Sequence, residues 1–252
     1  MRRTPNRGEG IVTYFALVNK SGKSTLISEA VPPGENLFIL NPKNYPIGQK
    51  LEEAIHKYSS LHDSILSQKL FSIESDFVER NSHLVREYKD GDQIDPSTEI
   101  KLFTNDKAGK SGRCRWYVAP RSVIVTGTQY LNKWKVIVSS ANAGGQKRSN
   151  QISIADNLTA FGRARIALKT FETREEAENF LKYATSDLIR FAFLLTDESL
   201  TSLAKRVPDI MDYSSKNTLI DFEKDVDKQL YKLFGITERE QKYISEFMSN
   251  RP

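Results

Sequence analysis

The pattern of apolar residues changes near residue 172, and this change constrains the fold more than any other feature. Between residues 99 and 171, apolar side chains form short β-branched and aromatic runs, which glycine-containing loops separate. After residue 172, apolar residues recur every three or four positions, as in amphipathic helices. The sequence therefore predicts an α+β fold, with a β-rich portion over residues 1–172 and a helical portion over residues 173–252. We expect the two portions to pack as one unit, because no flexible linker separates them.

The first hundred residues combine strand-like segments with one helix. Residues 10–18 and 24–31 flank a polar turn, so a strand–turn–strand unit is the simplest interpretation. Further along, apolar residues recur at spacings of three or four from Leu51 to Ile65. This spacing predicts one long helix at about residues 49–70.

Capping signals divide the helical portion. Two residue pairs have the spacing of a capping box, namely Thr173 with Glu176 and Thr237 with Glu240. The first box predicts a helix over residues 174–195, and the second predicts a last helix over residues 238–248. A further amphipathic pattern predicts a helix within residues 221–234.

Composition narrows the class of protein. Hydrophobic residues make up 38% and charged residues 27% of the 252 residues, as in soluble globular proteins. No apolar run approaches the ~20 residues of a membrane span, so we expect no membrane partner. The single cysteine, Cys114, excludes an internal disulfide and fits a reducing compartment, which favours a cytoplasmic location. Cysteine and the three histidines lack the spacing of a zinc site, so we expect no metal site.

Residues 21–25, with the sequence SGKST, match the end of a nucleotide-binding P-loop. The full pattern requires a glycine five residues before Gly22, and Leu17 stands there instead. A P-loop also leads into a helix, whereas the residues after Lys23 have the composition of a strand. We therefore expect no ATP binding.

Charge is distributed unevenly along the chain. The net charge is +5, but residues 101–169 carry 13 Lys/Arg and only two Asp/Glu, a net of +11. Residues 1–100 and 170–252 carry net charges of −2 and −4. A basic segment between acidic flanks predicts a surface that binds a polyanion, and the alternative is a solvated basic face without a partner.

Two glycine-containing loops of the basic segment are the candidates for DNA contact. Glycine permits close approach of the backbone to a phosphate, and lysine and arginine release counterions when they bind one. Amide side chains match adenine edges, and arginine matches guanine. We expect phosphate contacts from Lys107, Lys110, Arg113, Arg115, Lys133, Lys135, Arg163 and Arg165. We expect base readout from Gln146, Lys147, Arg148, Asn150 and Gln151, unless Lys147 and Arg148 contact only phosphates.

Two alternatives to duplex recognition stay open. Glu99 and Lys101 form the E-x-K pattern of type II restriction nucleases, with Asp90 or Asp92 upstream as a second acid for Mg²⁺. This pattern is short, and Lys89 precedes Asp90 where the nucleases have proline. The third hypothesis is a basic RNA-binding accessory protein without catalytic activity.

Four motifs follow one another in order along the second half of the chain. They are KWKVIVS, FETREEAEN, VPDIMD and LYKLFGITERE, at residues 133–139, 171–179, 207–212 and 230–240. In this order they resemble the C-terminal target-recognition region of type II and type IIG restriction-modification adenine-N6 DNA methyltransferases. The resemblance is dense over residues 130–248 and thin before residue 100.

The resemblance implies sequence-specific recognition of double-stranded DNA by a mixed, β-rich portion that precedes a helical portion. In this family, methyl transfer belongs to a catalytic domain that binds S-adenosylmethionine, with Mg²⁺ as a further candidate cofactor. The family motif Asp/Asn-Pro-Pro-Tyr/Phe is incomplete here, because Lys43 stands in place of its second proline. We therefore expect no catalytic residue and no cofactor in this chain. The implied partner is a methyltransferase catalytic domain, in the same or a separate chain.

Overall fold

The structure, a computed structural model, describes residues 10–18, 23–31, 42–105, 114–140, 152–195 and 203–249. Helices and β-sheets occur in separate stretches of these residues, which confirms the predicted α+β class. Among the helices of these ranges, none has the length and hydropathy that crossing a membrane requires.

The first described element is a β-hairpin. Strand β1 (Gly10–Val18) pairs antiparallel with strand β2 (Lys23–Val31), from Gly10 opposite Val31 to Val18 opposite Lys23. The two predicted strands are therefore confirmed, while residues 19–22 between them lie outside the described residues. Lys23 begins a strand rather than the helix that would follow a P-loop.

The helix predicted at residues 49–70 is shorter than expected. Helix α1 spans Tyr45–Lys57 and buries Leu51 among its apolar residues. Beyond it, the backbone pairs with a distant segment: Leu61 donates to the Val207 carbonyl, and Asp209 donates to the Ser59 carbonyl, both at 2.9 Å. These bonds use groups that a continuing helix would need, so the extension of the helix to residue 70 is wrong.

Seven further strands of the described residues form two sheets. The four-stranded sheet has the order β3 (Arg86–Glu87), β5 (Cys114–Pro120), β4 (Glu99–Asn105) and β8 (Thr159–Phe161). The three-stranded sheet has the order β7 (Ser153–Ala155), β6 (Trp134–Ser139) and β9 (Arg165–Phe171). Neighbouring strands are antiparallel except β4 and β8, which are parallel.

The remaining described helices are α2 (Phe77–Arg80), α3 (Arg174–Thr185), α4 (Asp187–Phe193), α5 (Val226–Leu233) and α6 (Glu238–Ser249). Both predicted capping boxes are present at the starts of α3 and α6. The single helix predicted over residues 174–195 is divided at Ser186, whose backbone is extended. The carboxylate of Asp227 accepts the N–H groups of Asp187 and Leu188 at 3.0 Å each, and this external cap starts a new helix.

The three-stranded sheet is the middle of three layers. Val136 and Val138 on β6 belong to the core that the sheet shares with the helices. Ile137, between them, belongs to a second core, which the sheet shares with Ile100 and Leu102 of the four-stranded sheet. Successive residues of β6 thus point into two different cores, as the alternation of side chains along a strand requires.

Candidate nucleic-acid interface

Most described cations of the basic segment are paired with acids, several of which come from the acidic flanks. The pairs are Arg115 with Glu87 at 3.4 Å, Lys133 with Glu172 at 2.6 Å, Arg163 with Glu74 at 2.7 Å, Lys101 with Asp156, and Lys169 with Asp209. The excess of positive charge over residues 101–169 is therefore partly neutralised within the fold. In the described residues, the segment does not form an uninterrupted basic face.

Lys135 does not lie at the surface. Its side chain is fully buried between the two sheets, on the same face of β6 as Ile137. The ammonium group donates to the carbonyls of Lys133 at 2.6 Å and Leu131 at 3.2 Å. Burial lowers the pKa of Lys135 to about 7, although the negative charge of Asp156 acts to raise it. The predicted phosphate contact of Lys135 is therefore wrong.

Arg165 lies where the two candidate loops meet the described fold. Arg165 on β9 lies opposite Ser139 on β6. The next residue, Ser140, is the last described residue before residues 141–151. The guanidinium carbon of Arg165 lies 4.9 Å from the ring centre of Phe103. Burial raises the pKa of the Cys114 thiol, and the positive charge of Arg165 acts in the opposite direction. Cys114 and Asn105 bound residues 106–113, and the Cys114 thiol donates to the Asn105 side chain at 2.9 Å. The attachment points of both loops are thus adjacent.

A tight turn holds these strand ends together. Gly162 donates to the Phe103 carbonyl at 3.0 Å, and Ser140 donates to the Ala164 carbonyl at 2.9 Å. A Cβ atom on Gly162 would lie 2.2 Å from the Thr104 hydroxyl oxygen, so only glycine fits at this approach. We call this region, with Phe103, Cys114, Ser140, Gly162 and Arg165, the loop-bearing edge.

The predicted contact residues are divided between the described structure and the rest of the chain. Lys107, Lys110 and Arg113, and all five residues predicted for base readout (Gln146, Lys147, Arg148, Asn150 and Gln151), lie outside the described residues. Arg163 and Arg165 lie together at the loop-bearing edge, and Arg115 follows Cys114 on β5. Lys133 lies at the other end of β6 from Ser139, so the structure does not bring it to this edge.

The residues of the alternative nuclease site are engaged in other contacts. Arg86 lies between two of the acids, with Nη1 2.8 Å from Asp92 and Nη2 3.7 Å from Glu99. Lys101 is bound to Asp156, a residue that the E-x-K pattern does not include. Within the described ranges, no group of three or more His, Cys, Asp or Glu residues is arranged to hold a metal ion.

A row of aromatic and cationic side chains crosses the outward face of the four-stranded sheet. Lys101 and Phe103 alternate on β4 with residues that are fully buried. The Lys101 ammonium lies 5.9 Å from the ring centre of Trp116 on β5. Trp116 stacks on Phe103 with ring centres 4.5 Å apart, and Arg165 covers the same Phe103 ring. The sequence prediction missed this row, because it depends on the register that places Phe103 opposite Trp116.

The row begins at an open cleft of about 480 Å³, which residues of both sheets and of α3 line. The cleft is lined by Tyr88, Asp90, Lys101, Trp116, Trp134, Ile154, Asp156, Thr159, Arg174 and Glu178. Burial acts to raise the pKa of Asp156, but hydrogen bonds from Lys101 and Thr159 outweigh it, and the net shift is downward. Asp156 therefore carries a negative charge at neutral pH.

Comparisons of this chain with protein-family models, with curated proteins and with solved structures found no match.

Proposed function

We propose that this chain binds double-stranded DNA at the loop-bearing edge, as the target-recognition part of a restriction-modification adenine methyltransferase. The observation that carries the proposal is the convergence of the two loop attachments around Arg165. Residues 106–113 and 141–151 together contain five Lys/Arg and one Asp. Two cation-rich, glycine-containing segments that leave the fold side by side fit a single stretch of DNA backbone.

The ion pairs elsewhere in the basic segment strengthen this assignment. Because Lys101, Lys169 and Lys133 each have an acidic partner, their charge is compensated where they stand. Within the basic segment, cations outnumber acids most strongly in the two loops, residues 106–113 and 141–151. Arg165 adds a guanidinium that has no acidic partner among the described residues.

The catalytic step belongs to a separate methyltransferase domain in this proposal. That domain supplies S-adenosylmethionine and transfers its methyl group to adenine N6, while this chain selects the site. The amide and arginine side chains of residues 146–151 are the groups suited to base edges. The nuclease alternative is weaker, because Arg86 occupies the space between Asp92 and Glu99.

RNA binding is a second candidate, and one observation favours it. The row formed by Lys101, Trp116, Phe103 and Arg165 interleaves aromatic rings with cations on an open sheet face. Such surfaces bind unstacked bases of single strands. Competition between duplex DNA and structured RNA for the same labelled duplex separates the two candidates.

The test of duplex binding is its dependence on salt. If the five loop cations contact phosphates, the logarithm of the association constant falls against the logarithm of salt concentration with a slope of roughly −4 to −5. Lys107→Ala and Lys110→Ala should each flatten the slope by about one unit. Lys216→Ala is the matched control, because Lys216 is an exposed cation in the acidic C-terminal portion. Affinity that does not change with salt, or an equal effect of the control, contradicts the proposal.

A further inference from the structure

The cleft at the start of the aromatic row has aromatic walls that the proposed duplex contact does not use. Tyr88, Trp116 and Trp134 line it, and all three side chains are half-buried. Trp116 and Trp134 are the only two tryptophans in the 252 residues. A volume of about 480 Å³ lies within the range of small-ligand sites.

These walls do not favour a cationic ligand. The Lys101 ammonium already lies 5.7 Å from the Tyr88 ring centre and 5.9 Å from that of Trp116. The same ammonium is paired with Asp156. The rings and the carboxylate that would attract an ammonium ligand are therefore occupied by a cation of the chain itself. The aromatic rings that line the cleft therefore favour a flat, uncharged ligand.

The polar groups at the rim favour a guest that carries hydrogen-bond donors. Arg174 pairs with Glu178 at 2.7 Å, and both line the cleft. Asp90 also lines it, is exposed, and has no hydrogen-bond or ion-pair partner among the described residues. A carboxylate accepts hydrogen bonds only, so Asp90 is suited to an exocyclic amino group.

We propose that this cleft binds one unpaired nucleobase, stacked on the tryptophan walls with its exocyclic amino group donated to Asp90. Adenine, cytosine and guanine carry such a group and thymine does not. The inference rests on the proposed function for the source of the base, which is an unpaired position in bound DNA. The row from Trp116 through Phe103 to Arg165 links the cleft to the loop-bearing edge, so a strand held there has a stacking path to the cleft.

Tryptophan fluorescence tests the cleft directly, since both tryptophans line it. Deoxyadenosine, which carries no phosphate, should quench the emission with a saturable curve in the millimolar range. Thymidine should bind about tenfold more weakly. Trp134→Phe leaves Trp116 as the single tryptophan, so its quenching reports on that wall alone. Because the variant also reduces the Trp134 wall, deoxyadenosine should bind it more weakly than the wild type. Equal quenching by the two nucleosides, or none by deoxyadenosine, overturns the proposal.

Asp90→Ala should remove most of the preference for deoxyadenosine over thymidine, because alanine has no acceptor for the amino group. Glu53→Ala is the control, because it removes one exposed acid on α1 by the same substitution. A retained preference in Asp90→Ala shows that the amino group is not read by this carboxylate and overturns that assignment.

A bulged duplex ties the cleft to DNA and separates the two proposals. A duplex with one extrahelical adenine should bind about tenfold more tightly than the fully paired duplex, and Asp90→Ala should reduce the difference. Steep salt dependence on paired duplex without any response to nucleosides or bulges means that the cleft proposal fails and the duplex proposal stands. If nucleosides quench the emission but no duplex binds, the cleft proposal stands and the duplex proposal fails.

Discussion

The ammonium group of Lys135 is buried without a carboxylate bonded to it, and its free-energy cost depends on pH. Its pKa is about 7 in the folded chain, against 10.5 for an exposed lysine. Below pH 7, both the folded and the unfolded state hold the proton, and the folded state bears the full cost of desolvation. Between the two values the unfolded state binds more protons, so the free energy of unfolding rises with pH. Above 10.5 both states are neutral and the dependence ends.

We predict that Lys135→Met removes this pH dependence. Relative to the variant, the wild type should gain stability from neutral pH upward, by at most about 1.4 kcal/mol for each pH unit. At alkaline pH the wild type should be the more stable protein, because methionine leaves the Leu131 and Lys133 carbonyls without their donor. Urea unfolding across the pH range measures the difference, with Lys216→Met as the control. Parallel curves for wild type and Lys135→Met contradict the assigned pKa.

Among the structural elements, the segment that contains VPDIMD is held by one buried carboxylate. Asp209 is fully buried and accepts hydrogen bonds from the Tyr213 hydroxyl at 2.9 Å and the Ser64 hydroxyl at 3.0 Å. It is also paired with Lys169 on β9. The carboxylate thus joins the segment after α1, the middle sheet and the loop before α5.

We predict that Asp209→Ala destabilises the protein by about 3–5 kcal/mol, since it leaves the half-buried Lys169 and the buried Tyr213 hydroxyl without their partner. Lys169→Met should cost a similar amount, and the double variant should cost less than the sum of the two. Chemical denaturation of the four proteins gives this coupling. Additive effects would mean that the pair does not act as a unit.

Helix starts could be predicted from the sequence, whereas helix ends could not. The starts of α3 and α6 depend on capping boxes whose two members lie three residues apart, so the signal is local. The end of α1 depends on pairing with residues 207–209, and the break at Ser186 depends on Asp227. Neither partner can be identified from apolar periodicity, because both lie far along the chain.

At the scale of the whole molecule, the strands of the basic segment could be predicted from local composition, but the charge around them could not. The runs whose composition predicts strands are present as β4, β5, β6 and β9. The net charge of the basic segment suggested an open cationic face. Its compensation by Glu74, Glu87 and Asp209 arises only when distant segments fold together.

This compensation predicts that removing one particular acid strengthens DNA binding. Glu74→Gln should free Arg163, which lies beside Gly162 at the loop-bearing edge, from its 2.7 Å ion pair. One more cation available to phosphate should steepen the salt slope by about one unit and raise affinity several-fold at low salt. Exposed ion pairs contribute only about 0–1 kcal/mol, so the fold should tolerate the change.

The matched variant is Glu53→Gln, which changes the net charge equally but lies on α1 without an ion pair to an arginine of the edge. If the loop-bearing edge contacts DNA, anisotropy titrations over a salt series should show a steeper slope for Glu74→Gln than for Glu53→Gln. The double variant Glu74→Gln/Arg163→Ala should return to the wild-type slope, because the freed cation is then absent. Equal slopes for the two glutamate variants would show that DNA responds only to net charge, and that Arg163 lies outside the interface.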